Sequence, residues 1–452
     1  MYLVFVLFVL IALIVFATAK LKLNPFITLL LAAFIAAFAY GLPLRDIETT
    51  IRGGFGSIMG NIGLVIVLGT VIGVILERSG AAITMAQTII KVFGQRFPTL
   101  TMTSVGFLVS IPVFCDSGFV ILNSLKRSVA RTLKASPVAM TVALSTGLFA
   151  THTLVPPTPG PIAAAGNLGL GDNLGLVILV GLGFAVIAAL TGLAWAHFSR
   201  HLPSAELDEP EEVSGAYQHD DESALPRDLP GPGRAFAPIF VPILLICLGS
   251  VVNYPGAPLG QGALYEALNF LGKPVNALMV GLGCALLLLR GEGRVAKFSD
   301  YIGKGLVIAA PILLVTGAGG AFGAVLAATP LGDFLGSSLS SLGIGMLMPF
   351  LVAAALKTAQ GSSTVAMVTA SALVAPLLPQ MGLDSDMGRV LTVMAIAAGS
   401  MTVSHANDSY FWVVAQFSRM DVATAYRAHT AATLAMGIVT IIAVQLVALV
   451  VL

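Results

Sequence analysis

Apolar stretches long enough to cross a bilayer recur from one end of this chain to the other, beginning with MYLVFVLFVLIALIVFATA. A spanning helix takes about 20 mostly apolar residues. In hydrocarbon every backbone polar group must be satisfied within the protein, which leaves only helices or closed barrels. A barrel reads as short alternating segments, whereas these runs are continuous. Charged residues make up 10% of the chain and hydrophobic residues 57%, against roughly one quarter charged in soluble domains. The expected fold class is therefore an all-α polytopic membrane protein. The first apolar run has no basic residues before it and the length of a full span, so it reads as a retained helix rather than a secretory signal. A net charge of +1 offers no basic face for nucleic acid. Cys115, Cys247 and Cys284 lie in apolar segments without metal-ligand spacing, so no disulfide framework, metal or cofactor is expected.

One segment does not belong to the membrane. Residues 199–235 contain DEPEEVSGAYQHDDES and then PRDLPGPGR, acidic, proline-rich and too poor in large apolar residues to fold alone. It reads as a solvated linker between a first membrane half, 1–198, and a second, 236–452. The halves resemble each other. GTVIGVILERSG (69–80) matches GGAFGAVLAATP (319–330), each with a GxxxG pair, and THTLVPPTPGP (151–161) sits near the position of SHANDSYFW (404–412). Between these markers each half has an apolar run interrupted by a polar cluster, CDSG in the first and KTAQGSS in the second. Weak internal symmetry of this kind marks transporters built from structural repeats. The GxxxG pairs alone also fit ordinary close helix packing.

Length and charge decide how the interrupted segments run. Between Arg96 and Lys126 lie 29 residues, more than one span and fewer than the roughly 40 that two spans and a turn need. Spans are expected near 2–19, 25–40, 58–76, 137–165, 174–198, 236–253, 275–289, 305–327, 389–415 and 430–452. If the segments near 97–125 and 344–375 are re-entrant hairpins, 18 Lys and Arg fall on one side and 4 on the other, with Lys357 inside the second hairpin. If both cross fully, the split is 14 to 8. The positive-inside rule favours the hairpins. Each half then has five transmembrane helices, one of them broken, and one re-entrant hairpin, and the halves are inverted. The linker lies in the cytoplasm and both termini outside.

Backbone at membrane depth must be paired within the protein or line a wet cavity. Hairpin tips satisfy this by lining a substrate site. Gly118 and Gly361 allow tight turns, Ser117, Ser362, Ser363 and Thr364 offer hydroxyls, and helix N-termini favour a carboxylate ligand. The prolines of THTLVPPTPGP break a helix near 156–161, and SHANDSYFW brings His405, Asn407 and Asp408 into an apolar run. Thr151, Thr153 and Asn407 are candidates for substrate hydroxyls. Asp116, His152, His405 and Asp408 are candidates for proton coupling, with helix capping (Asp116, Asp408) or core packing (the histidines) as the plainer roles. Lys357 either snorkels to the outer surface or counters a substrate carboxylate. Tyr410, Phe411 and Trp412 read as packing or interface anchors. The GLGD at 169–172 matches a pattern of intramembrane proteases, but it lies in a polar loop without a partner acid. No enzyme is expected.

At PVFCDSGFVIL, THTLVPPTPGP and SHANDSYFW the sequence resembles the gluconate permease family of bacterial inner-membrane symporters, within the ion transporter superfamily. The likeness covers almost the whole chain. It implies proton-coupled uptake of gluconate or a related sugar acid by an inverted-repeat fold, in an assembly that is commonly a homodimer. Relatives that carry D-serine keep that substrate open, and a sodium-coupled carboxylate symporter would share the architecture. A passive channel would need a continuous lined pore, which tips meeting head-on do not suggest.

Overall fold

The computed structural model describes residues 2–21, 23–93, 96–203, 229–252, 262–291, 293–329, 345–405 and 408–452. Most of the linker, Asn407 and the start of the expected second hairpin lie outside them. The first half runs α1 Tyr2–Ala19, α2 Pro25–Ala39, α3 Leu44–Arg78, α4 Ala81–Phe93, α5 Pro98–Val109, α6 Cys115–Thr132, α7 Pro137–Leu154, α8 Pro159–Asn167 and α9 Leu174–Phe198. The second runs α10 Pro232–Val252, α11 Ala263–Leu271, α12 Pro274–Leu286, α13 Arg294–Ala327, α14 Leu347–Gln360 and α15 Ser363–Val374. It continues with α16 Asp386–Met401, α17 Ser409–Phe417, α18 Val422–Ala425 and α19 Ala431–Val451.

The element order repeats. Pro25 and Pro274 open corresponding helices, as do Leu44 and Arg294, Pro98 and Leu347, Pro137 and Asp386, and Pro159 and Ser409, always 249 or 250 positions apart. The packing repeats with it. Helix α5 lies on α7 as α14 lies on α16, α9 on α7 as α19 on α16, and α2 on α13 as α12 on α3. Two corresponding pairings cross between the halves, α6 on α17 and α15 on α8, and α3 packs along α13.

Six helical stretches among the described residues are long and apolar enough to span a membrane: α3, α7 with α8, α9, α10, α13, and α18 with α19. The chain is a multi-pass membrane protein. Helices α2 and α12, with 15 and 13 residues, are shorter than full crossings, each opened by a proline at its first turn. Residues 44–78 form one helix of 35 residues, where a span of 58–76 was expected. Helices α4 and α11 were not anticipated.

Helix α7 is buried on every side. Some of its hydroxyls turn back onto the helix: Thr146 donates to the Val142 carbonyl at 2.7 Å and Thr153 to Phe149 at 2.9 Å, a local satisfaction that lets a polar residue sit in an apolar core. The small residues set close approaches. A Cβ on Gly69 would stand 2.8 Å from the Pro157 carbonyl oxygen, and one on Gly73 2.5 Å from that of Pro112. The GxxxG face of α3 thus seats two chain breaks, one near Pro112 and one near Pro157.

Candidate functional site

Four breaks interrupt the apolar helices. The first, 110–114, separates α5 from α6, and Ser110 closes it by donating to the Val113 carbonyl at 2.8 Å. The second, 155–158, separates α7 from α8. The third is Gly361, at φ 89°, a left-handed turn that glycine adopts without strain; Ser362 then caps α15, its hydroxyl accepting from the Val365 N–H at 3.2 Å. The fourth, described at 402–405 and 408, contains Val403 at φ 51°, a strained conformation for a β-branched residue.

Three of these breaks deliver helix N-terminal turns to one cavity of about 670 Å³. Phe114, Cys115 and Asp116 at the start of α6, Ser362 to Val365 at the start of α15, and Asp408 to Tyr410 at the start of α17 line it, together with Val307, Pro311 and Leu314 of α13. Helix N-termini present unpaired N–H groups and positive dipole ends, so three together favour an anion. Phe149 and His152 complete one wall. The buried His152 ring lies between Phe114 and Phe149, with centroid distances of 5.8 and 6.4 Å, and its Nδ1 has no hydrogen-bond partner among the described residues.

The charges here are unevenly held. Lys357 is 1% exposed and lies 2.5 Å from Asp408 Oδ2; it also donates to the Gly361 carbonyl that follows α14. It does not reach the outer surface. Asp408 does two jobs: its Oδ1 caps α17 by accepting from the Tyr410 N–H at 3.0 Å, while Oδ2 accepts from Lys357 and from the Ser404 hydroxyl at 2.5 Å. Among the described residues Asp116 has no such cation. Its Oδ1 accepts from the Ser409 hydroxyl at 3.3 Å, and the Cys115 thiol donates to Oδ2 at 3.6 Å. It occupies the first turn of α6, where Phe114 holds the N-cap position and no side chain accepts the cap bond.

The structure brings Asp116, His152, Ser362, Ser363, Thr364 and Asp408 to the cavity and leaves other sequence candidates elsewhere. Ser117 bonds the Glu77 carboxylate of α3. Gly118 faces Leu148 Cδ2, 2.8 Å from where a Cβ would lie, a packing position. Thr151 donates to the Phe107 carbonyl at 2.9 Å and Thr153 to its own helix, so neither hydroxyl reaches the cavity. The His405 ring meets the Thr358 carbonyl at 3.0 Å and lies outside the lining. Asn407 is outside the described residues. Gly361 shapes the turn. Asp172 sits exposed in the Gly171–Asn173 turn, away from the cavity.

Three residues had no place in the sequence reading of the site. Ser409 belongs to SHANDSYFW, and only its placement at the start of α17 shows that it faces Asp116. Lys126, counted at a membrane face, is fully buried. It lies 2.8 Å from the Thr141 and Ser418 hydroxyls and over the Phe119 ring. Helix α6 continues past the expected hairpin end at 125 to Thr132. The Tyr410 hydroxyl, expected only to pack, donates to the Ser145 carbonyl at 2.8 Å.

The family model of the GntP family permeases matches residues 1–450. The chain is 34% identical to a gluconate permease of Pseudomonas aeruginosa, over 95% of this chain and 94% of the relative. It is 32% identical to the D-serine transporter of Escherichia coli K12, over 95% of each. Among solved structures it resembles the YdaH transporter of Alcanivorax borkumensis, with a TM-score of 0.65 at 16% identity, covering 94% of this chain and 98% of that one. That likeness gives the fold. Apolar helices broken around a cavity that holds two carboxylates and several hydroxyls, and a family match along the whole length, lead to one assignment: the chain belongs to the GntP family of permeases and is a transporter rather than an enzyme.

Proposed function

We propose that the protein is a proton-coupled symporter that takes up gluconate or a related small hydroxylated carboxylate across the bacterial inner membrane. The observation that carries this reading is the convergence of three helix N-termini with Asp116, Asp408 and a set of hydroxyls on one cavity, with Lys357 paired to Asp408 behind its wall. The substrate carboxylate meets the N–H groups of Ser363 and Thr364 and the positive end of α15. Its hydroxyls meet Ser362, Thr364 and Ser409. Asp116, in the cavity without a cation, and Asp408 exchange the coupling proton.

In this reading the two halves are inverted repeats, and α5–α6 and α14–α15 are re-entrant hairpins whose tips meet at mid-membrane. The 12 residues of α5 and 14 of α14 reach about 18–21 Å at 1.5 Å per residue, short of the roughly 30 Å hydrocarbon core. A proton moving with the anion offsets its charge. Each elementary charge crossing 100 mV is worth about 2.3 kcal/mol, so the coupling decides whether an anion accumulates.

The D-serine transporter relative supports a second substrate reading, favoured by one observation: the Asp116 carboxylate lines the cavity and suits a substrate ammonium. The purified protein in vesicles, given an imposed pH gradient with and without sodium, tests both. Saturable gluconate uptake driven by the proton gradient alone is expected. Uptake that requires sodium would replace the coupling ion, and competition by D-serine but not gluconate would replace the substrate.

A further inference from the structure

One buried titratable group belongs neither to the cavity nor to the motifs above. His429 lies in a π-helical turn, Tyr426–Thr430, that opens α19; single π turns within α-helices concentrate at functional sites. The ring is fully buried, while Tyr426 and Arg427 on the same turn are exposed. Its Nε2 is 3.2 Å from Ser404 Oγ and its Nδ1 3.3 Å from Ser145 Oγ. Ser404 Oγ is the atom that donates to Asp408 Oδ2, the oxygen that also faces Lys357. The first turns of α19 hold Ser404 in place: Thr430 donates to its carbonyl at 2.5 Å, and the Thr433 hydroxyl accepts its N–H at 3.0 Å.

The hydroxyl protons constrain the ring. Ser404 has one proton and gives it to Asp408. Ser145 gives its proton to the Val142 carbonyl at 3.2 Å. Both serines therefore present lone pairs to His429. An imidazolium satisfies both. A neutral ring keeps its Nε2–H on Ser404 while Ser145 turns to donate to Nδ1. Both of these states put a ring proton on Ser404; once that proton has passed on, the ring keeps its Nδ1–H on Ser145 and the Ser404 hydroxyl donates to the bare Nε2. The elements packed against this turn are α7, α17, α18 and α19. Among their described residues, Tyr410 meets the ring edge-on at 5.2 Å, Asp408 is reached through Ser404, His152 lies further along α7, and α18 and α19 carry no charged side chain.

We propose that His429 is the proton-relay residue of coupling, delivering a proton through Ser404 to the Asp408–Lys357 pair. The Nε2–H bond breaks and its proton joins Ser404 Oγ, while the proton already on Ser404 leaves for Asp408 Oδ2. Imidazolium becomes imidazole and carboxylate becomes carboxylic acid, with one proton moved. A neutral Asp408 no longer holds Lys357, whose ammonium becomes the counter-charge for a substrate carboxylate in the adjoining cavity. Proton arrival and anion binding are thereby linked. The inference rests on the proton-coupled reading above.

The test compares the wild-type protein, His429→Gln and Ser404→Ala in proteoliposomes, with labelled gluconate and D-serine as probes. Each is assayed for accumulation under a pH gradient and for counterflow at equal pH, which needs no net proton movement. Both variants are expected to lose gradient-driven accumulation by about tenfold or more, while counterflow falls by less than about threefold. The pH dependence of uptake should flatten in both. His429→Gln accumulating like wild type, or losing counterflow together with accumulation as a correctly folded protein, overturns the relay. Should His429→Gln fail to fold, Ser404→Ala decides, since it leaves the ring in place and cuts its link to Asp408. Wild-type uptake that ignores the pH gradient would instead defeat the proton-coupled reading itself, before any variant is compared.

Discussion

The helix breaks before α6 and before α15 share a backbone plan and differ in charge. In both, an apolar helix stops, the chain turns, and a second helix begins at the cavity. The second residue of that helix is Asp116 in the first half and Thr364 in the second. The N-cap after the broken helix is Thr158 in the first half and Asp408 in the second. The second half adds Lys357 near the end of α14, whereas α5, PTLTMTSVGFLV, carries no charge. Repetition supplies the scaffold, and its two copies have taken different electrostatic roles. The second half holds a neutralised pair, and the first presents a carboxylate to the cavity.

Breaking the pair should have the largest effect. Lys357→Met leaves Asp408 buried without its cation, a change that costs about 3–5 kcal/mol and should lower thermal stability in detergent and abolish uptake. Lys357→Met with Asp408→Asn should recover most of the stability without the transport. Asp116→Asn is the opposite case. With no ion pair to lose, stability should stay within about 1 kcal/mol of wild type while concentrative uptake disappears; near-normal accumulation would remove Asp116 from the mechanism.

The tip glycines sharpen the contrast. Gly361→Ala forces a side chain into a left-handed turn and should cost about 1–3 kcal/mol. Gly118→Ala meets only the movable end of Leu148 and should cost about 1 kcal/mol. Thermal melts of the two variants measure the difference.

The smallest effect separates two aspartate caps. Asp421 is exposed and caps α18, accepting from the Thr424 N–H at 2.6 Å. That N–H, with the Thr424 side chain, holds its carboxyl below the usual carboxylate range. Its stabilisation is therefore present above the ordinary carboxylate value and lost as pH falls through the lowered one. Asp421→Ala should melt slightly below wild type near neutrality, the gap closing in acid, without the loss of uptake expected when Asp408 is replaced.

The breaks were legible in the sequence because proline, glycine and polar clusters stand out in apolar runs: 110–114, 155–158, 361 and 402–408 all lie within or beside the quoted motifs. What those motifs do was legible only in part. Thr151 and Thr153 looked available because a sequence does not show where a hydroxyl turns; in a helix buried on all sides they turn to carbonyls. Lys126 looked like a topological marker because its partners, Thr141 and Ser418, are one helix and most of the chain away. His429 stands alone in YRAHT, and Ser145, which meets it, is 284 positions distant. Such contacts arise from the crossing of the two halves, which no local pattern encodes.

Substrate protection of the second tip tests the central claim most directly. Ser363→Cys, with Cys115, Cys247 and Cys284 replaced by serine, places one thiol in the cavity. The rate of its modification by a small maleimide is measured with and without a saturating transported substrate. Slowing of modification by substrate, and not by a sugar that is not transported, is the predicted result. A rate unchanged by a substrate that the same variant carries would place binding elsewhere and contradict the account.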